Sequence, residues 1–250
     1  MIDLHCHVLP GIDDGARDLE MAVAMCRLAA AEGCEAMVAT PHQRRGVWWN
    51  CDATALDGLR AELQAAVGVR PRILPGGEIR IDAQLLAELA RLPESGLQPL
   101  AGSRYLLVEF DGGGRPGQAI ELVHELAIAG WRPVLAHPEL ISWLAEDTPL
   151  VERLVELGAA IQVTAMSVTG DFGHRPEAAA HRLIEAGLAH FLASDAHDLY
   201  RRPPGLRRAR NEVAARWGEE MAQQLTEDNP RAVVADLPLA AARQQTESRA

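Results

Sequence analysis

Lysine is absent from this chain: all 24 of its basic residues are arginines. That excludes a Schiff-base lysine and the lysine of a phosphate-cradling P-loop. Positive charge is also in deficit. With 35 Asp and Glu the formal net charge is −11, so nucleic acid is not an expected partner. Long apolar runs are missing too; none approaches the ~18 residues of a membrane span, so no direct membrane insertion is expected. A polar His5-Cys-His7 stands where a secretory leader needs its apolar core, so a cytoplasmic protein is expected. Cysteines are few, and Cys6, Cys26, Cys34 and Cys51 form neither a C-x-x-C pair nor a secreted framework. None has an arginine six residues later, which removes the C-x5-R loop of cysteine-dependent phosphatases. The thiols read as small buried hydrophobes in reduced form. Chemistry must therefore come from histidine, carboxylates, arginine, hydroxyls or a metal.

What is present suits one domain of barrel or doubly wound type, since 48 % of the 250 residues are hydrophobic. The domain is expected over residues 1–237, with a polar, frayed tail over 238–250. The opening reads as a strand over residues 2–9, broken by Pro10-Gly11. Side chains alternate along a strand, so His5 and His7 point one way and Leu4, Cys6 and Val8 the other. With the Gly-flanked Asp13-Asp14 turn that follows, they make a plausible start to a cation site. The competing reading is a solvated edge strand with two surface histidines.

One pattern then recurs: a helix rich in Ala, Leu and Glu, a glycine, a short apolar strand, and a polar residue. Gly33 leads to strand 35–41 and His42, Gly130 to 132–136 and His137, Gly158 to 159–164, and Gly187 to 190–194 with Asp195 and His197. Glycine just past a helix is the expected stop because it takes the left-handed conformation cheaply. Strands over 72–75, running to Glu78, and 105–110, containing Glu109, complete a set of seven. Helices are expected near 18–32, 53–67, 82–91, 117–129, 148–157, 177–186 and 205–226. Strands alternating with helices imply a parallel sheet. Seven such units favour a closed or nearly closed β/α barrel, with an open doubly wound sheet as the alternative.

His5 with His7, His42, Glu78, Glu109, His137, and Asp195 with His197 all fall at the C-terminal ends of strands. In a β/α barrel those ends share one rim, where active sites lie. Burying that many ionisable groups is costly unless cations compensate. Histidine and carboxylate donors with no cysteine suit Mn, Fe, Zn or Mg. Their number exceeds the needs of one ion, so two or three bridged ions are expected. Such sites acidify a bridging water and clamp phosphoryl oxygens during in-line attack. Arg202 is the candidate for balancing the remaining phosphate charge. Phosphate-ester hydrolysis follows from this chemistry, although amide hydrolysis uses similar sites.

Other features are bland. Leu206-Arg-Arg-Ala-Arg210 reads as a solvated helix face, with contact to a phosphorylated partner as the alternative. His124, His174, His181 and His190 read as surface or satisfied residues. Trp48-Trp49 lies on a loop above the rim, where it would wall a substrate pocket or simply cover the barrel. Gly112-Gly-Gly-Arg-Pro116 is a flexible loop at the same end.

His5-Cys-His7, Thr40-Pro-His42, Glu78-Ile-Arg80, Glu109-Phe110, Ala136-His-Pro-Glu139 and Ser194-Asp-Ala-His197 resemble the PHP (polymerase and histidinol phosphatase) superfamily. Leu9-Pro-Gly-Ile-Asp-Asp-Gly15 and Leu74-Pro-Gly-Gly-Glu-Ile-Arg80 are similar to its bacterial tyrosine-phosphatase branch, the CpsB/YwqE-type enzymes of capsule and exopolysaccharide synthesis. The likeness runs from residue 1 to about 237. It implies a distorted seven-stranded (β/α)7, TIM-like barrel of PHP type holding up to three metals, usually manganese. Carried over by motif, His5, His7, Glu78 and Asp195 hold one ion. Glu78 bridges to a second with Glu109 and His137, and Asp14, His42 and His197 hold the third, with Asp13 the rival of Asp14. It implies attack on phosphorus by a metal-held hydroxide, with catalytic roles for Arg202 and Asp14 and substrate contacts at Arg202, Arg80 and Trp48. The implied substrate is the phosphotyrosine tail of a membrane-bound tyrosine autokinase that controls polysaccharide export.

Two positions depart from that branch. It usually has Arg after Ala-His-Pro-Glu, where this chain has Leu140, and a second His after Thr-Pro-His, where it has Gln43. Arg44, Arg45, Arg80 or Arg175 are the candidates to restore the charge. Rival readings are a PHP phosphatase of a small monoester, such as a histidinol-phosphate-like metabolite, and a catalytically weak regulator that only binds phosphotyrosine. A metal-dependent amidohydrolase is a further possibility.

Overall fold

Short apolar runs that follow helix-ending glycines form the strands of the computed structural model, which describes residues 1–239. The tail expected over 238–250 lies, from residue 240 on, outside the described residues. The strands are β1 (Ile2–Cys6), β2 (Ala36–Ala39), β3 (His42–Gln43), β4 (Arg72–Pro75), β5 (Glu78–Arg80), β6 (Tyr105–Glu109), β7 (Arg132–Ala136), β8 (Ala160–Thr164) and β9 (Phe191–Ala193). Every pairing among them is parallel, in two sheets ordered β1-β2-β4 and β3-β5-β6-β7-β8-β9.

The seven expected strands are thus nine, because two are interrupted. Pro41, which has no N–H to give a ladder, separates β2 from β3. Gly76-Gly77 separates β4 from β5, and a Cβ on Gly77 would stand 2.2 Å from Gln43 Oε1. Among the described residues no continuous ladder closes the strands into one barrel. Between β9 and β1 there is a single bridge, Cys6 with Ala196. It is supported by His7 N donating to Ala196 O at 2.8 Å and Asp195 N to His5 O at 2.8 Å.

The main helices are α1 (Leu19–Ala31), α2 (Ala53–Val67), α3 (Leu85–Leu89), α4 (Pro116–Ile128), α5 (Ser142–Ala145), α6 (Thr148–Glu156), α7 (Ala165–Val168) and α8 (His174–Glu185). The expected helix 205–226 is broken at Gly218, whose φ of 95° suits only glycine. It becomes α9 (Leu206–Trp217), α10 (Glu219–Gln223), a π-helical turn and α11 (Asn229–Val234).

Strand alternation builds two apolar clusters. Tyr105, Leu107, Val134, Ala136, Ala160 and Phe191 join Leu100 and Val233 in one, inside the strands. Leu106, Val108, Leu135, Ile161 and Val163 pack against the helices in the other. β1 departs from simple alternation: Leu4 belongs to the inner cluster, whereas Cys6 and Val8 belong to the outer one. The register shifts between Asp3 and Cys6, and an irregularity of that kind re-aims side chains. Leu4 therefore does not share a face with Cys6, as strict alternation had implied, while His5 and His7 both enter the site.

Candidate metal centre

The C-terminal ends of the strands gather the nine histidine and carboxylate residues singled out above. His5 Nε2 lies 3.3 Å from His7 Nε2, 3.4 Å from Glu78 Oε1 and 3.4 Å from Asp195 Oδ1. Glu78 sits at the centre: its Oε1 is 2.9 Å from His137 Nε2, and its Oε2 is 2.6 Å from His42 Nδ1 and 3.7 Å from His7 Nε2. Asp14 Oδ1 is 3.1 Å from His42 Nε2 and 3.5 Å from His197 Nε2. The donor atoms fall into overlapping groups, each within 4.8 Å of one another: His7, Asp14, His42 and His197; His5, His137 and Asp195; His5, His7 and Glu78; His42, Glu78 and Glu109. This partition places Glu109 with His42, and His137 with His5, rather than Glu109 with His137.

Local backbone sets several of these directions. His137 and Asp195 hold left-handed conformations, φ 34° and 53°, which cost a non-glycine residue about 1 kcal/mol or more. Each turns sharply off its strand at the point where its side chain enters the site. Ser194 supports this turn by donating from N and Oγ to Asp3, at 3.0 and 2.5 Å. Asp3 is fully buried, and burial raises its carboxyl to about 6 despite those hydrogen bonds. Asp13 is no rival of Asp14 in these groups. It accepts from His7 Nδ1 at 2.8 Å, Gly15 N at 2.9 Å and His42 N at 3.2 Å, and so braces two histidines from behind. Gly15 is obligatory in that turn: a Cβ there would meet His7 O at 2.2 Å.

The electrostatics are divided. Burial holds His5 down to about 4 and also lowers His7. Burial acts the same way on His42 and His137, but close carboxylates overcome it, raising His42 to about 9 and His137 to about 10. Glu78 feels a strong upward push from burial; the surrounding imidazoles overcome it and hold it well below the carboxylate range. Burial and the Glu78 charge instead push Glu109 up.

Above the cluster opens a pocket of about 590 Å³, lined by Asp14, His42, Glu109, His137 and His197 and walled by Arg45, Arg80, Arg202 and Leu140. Arg202 Nη1 is 3.0 Å from His197 Nε2, and its Nη2 contacts the Asp195 carboxylate. Arg45 and Arg80 approach Glu109 from the other side, at 3.4 and 3.7 Å. Arg44 is turned away, donating to Asp82 at 2.9 Å and pairing with Glu88 at 2.9 Å. Arg175 does not line the pocket. Gln43 faces away as well: its amide donates to Asn50 O and Gly96 O and accepts from Gln98 N, at 2.7, 3.1 and 2.9 Å. Trp48 stacks on His42, ring centroids 5.2 Å apart at 20°, and covers that imidazole without lining the pocket.

These features coincide with a known group. The sequence model described as capsular polysaccharide synthesis, CpsB/CapC, matches residues 1–235. The chain belongs to the CpsB/CapC family. It is 38 % identical to the tyrosine-protein phosphatase YwqE of Bacillus subtilis over 231 residues, covering 91 % of this chain and 89 % of the relative. Identity to the tyrosine-protein phosphatase CpsB of Streptococcus pneumoniae is 28 % over 94 % of this chain and 99 % of the relative. Among solved structures, one from a study of YwqE and CpsB, described as unique metal-dependent tyrosine phosphatases, superposes with a TM-score of 0.90. It is 34 % identical and covers 99 % of this chain and 100 % of its own. The CpsB/CapC fold therefore extends over the whole described chain.

The site has residues that strand-end reasoning passed over. Gln162 lies within β8, the strand whose end carries none of the nine donors, and is completely buried. Glu139 is also buried, accepting from Thr164 N at 2.9 Å and Ser167 Oγ at 2.8 Å. For Gln162 the available signal was a polar residue inside an otherwise apolar run; Glu139 lies in the turn just after β7, in the Ala136-His-Pro-Glu139 motif.

Proposed function

We propose that this chain is a metal-dependent protein-tyrosine phosphatase acting in the cytoplasm on the phosphotyrosine tail of a membrane-bound autokinase of capsule or exopolysaccharide synthesis. The observation that carries the proposal is the stacking of a nine-residue donor cluster beneath a pocket walled by arginines. The donor set fits divalent ions: it is histidine and carboxylate without sulfur, and Glu78 Oε2 is buried in the middle of it, 2.6 Å from His42 Nδ1 but outside hydrogen-bond geometry. His5, His7, Asp14, His42, Glu78, Glu109, His137, Asp195 and His197 hold two or three such ions, manganese first among the candidates. Divalent ions there supply Lewis-acid stabilisation of phosphoryl charge and acidify water.

The chain's own groups then divide the remaining work. Arg202 presents its guanidinium to the phosphate from one wall, with Arg80 on the other. Asp14, more exposed than the other donors and ordered by His42 and His197, stands at the pocket floor. A tyrosine phenolate leaves readily, so no separate acid is required of the protein. No helix among the described residues is long and apolar enough to cross a membrane.

The testing experiment is hydrolysis of a phosphotyrosine peptide by chelator-stripped protein before and after manganese is added. Turnover restored by manganese is expected. His42 and His137 are raised to about 9 and 10, so below those values they carry protons that metal must displace. Less manganese should therefore give half-restoration as pH rises from 6 towards 9. Turnover on small monoesters but not on the peptide would favour the metabolite phosphatase, and peptide binding without turnover a regulator.

Leu140 occupies the pocket wall with 37 % of its surface exposed. Leu140→Arg is expected to lower KM for phosphotyrosine peptides by about 10-fold, the effect of one added charge-assisted hydrogen bond. An unchanged or raised KM would show that Arg45, Arg80 and Arg202 already saturate the anion.

A further inference from the structure

Gln162 joins two proposed ligands that come from different strands. It sits in β8 opposite Ala136 of β7, is fully buried, and faces the interior of the site. Its Oε1 is 2.9 Å from His5 Nδ1 and 3.4 Å from the backbone N of His137, and its Nε2 is 3.3 Å from Thr164 Oγ1. The orientation of the amide is decided by chemistry. A backbone N–H can only donate, so the atom facing His137 N must be the oxygen. The same oxygen faces His5, and it cannot donate, so His5 must donate through Nδ1. The proton is thereby held at Nδ1, and the Nε2 lone pair is left for the space between Glu78 and Asp195, each 3.4 Å away.

We propose that Gln162 is a positioning residue that sets the tautomer and orientation of His5 and ties it to the His137 turn, so that two ligands present their Nε2 atoms together. This builds on the metal-site reading above. An amide suits the task better than a carboxylate. It accepts from His5 without adding a further negative charge beside Glu78 and Asp195, and its other end donates to Thr164. The donor N–H of a ligating histidine is usually held by such a partner, and losing it typically weakens metal binding about 10- to 100-fold.

The experiment has two readouts that do not involve turnover. In the metal-free protein carrying 15N-histidine, the ring nitrogen shifts of His5 should show Nδ1 protonated and Nε2 bare. In Gln162→Leu the two tautomers should mix, and manganese titrated against a competing chelator should bind about 10- to 100-fold more weakly. Gln162→Glu, which keeps the acceptor, should retain the Nδ1–H tautomer and most of the affinity. Gln162→Met removes the acceptor with a flexible side chain of similar length and serves if the leucine variant does not fold. An Nε2–H tautomer in the unsubstituted protein would overturn the proposal whatever the variants do. So would an acceptor-free variant that folds with unchanged tautomer and manganese affinity. A correct tautomer in a protein that binds no manganese would instead bring down the metal-site reading, and with it the role assigned to Gln162.

Discussion

Glu78→Gln should lower phosphotyrosine turnover by on the order of a thousandfold at any accessible manganese concentration, because several kcal/mol of transition-state charge stabilisation depends on the cluster it centres. Four histidines, His5, His7, His42 and His137, lie within 3.7 Å of its two oxygens. The change removes one negative charge while keeping shape, so the metal-free protein should fold. His42 and His137, now without the carboxylate that raises them, should titrate below their raised values of about 9 and 10. Manganese affinity measured by chelator competition should fall along with turnover. Wild-type turnover in the folded variant would remove Glu78 from the centre of the mechanism.

Arg202→Ala should lower kcat/KM by about 100- to 1,000-fold, the scale of losing one preorganised donor to developing charge. Its effect on metal should have the opposite sign. The Arg202 guanidinium rests against the Asp195 carboxylate and within 3.0 Å of His197 Nε2. Removing a cation from beside two proposed ligands lessens repulsion of a bound ion, so manganese affinity should hold or rise. Arg202→Lys should recover only part of the rate, because an ammonium keeps the charge but loses the planar fork. Stopped turnover with weakened manganese binding would instead make Arg202 a prop for Asp195. These two substitutions therefore separate a proposed cation-holding residue from the proposed anion-holding one: the first should lose both metal and rate, the second rate alone.

The site could be reached from the sequence through one regularity. Glycine-terminated helices alternate with short apolar strands, and a histidine or carboxylate follows almost every strand. Because parallel strands expose their C-terminal ends on a common side, His5, Glu78, Glu109, His137 and Asp195 had to approach one another. The strand and helix order is local information, carried by hydrophobic period and helix stops. The number of strands was less legible. Pro41 and Gly76-Gly77 split two of them, and the last connection from β9 to β1 narrows to a single bridge.

Other distinctions had no local signal. Asp13 and Asp14 are adjacent and alike, yet the turn closed by Gly15 sends Asp13 behind His7 and Asp14 into the pocket. Arg44 and Arg45 separate in the same way. Arg44 is claimed by Asp82 and Glu88, far along the chain, while Arg45 reaches the pocket wall. Gln43, which stands where the branch usually has a second histidine, is occupied with the backbone of Asn50, Gly96 and Gln98. The sequence by itself determined which residue types arrive at the rim, and in what order, since strand period and helix termination are properties of neighbouring residues. Only the tertiary structure decided which of them face the pocket. A side chain beyond the end of a strand takes its direction from turn dihedrals and from partners that other strands bring up, and neither is written in its neighbours.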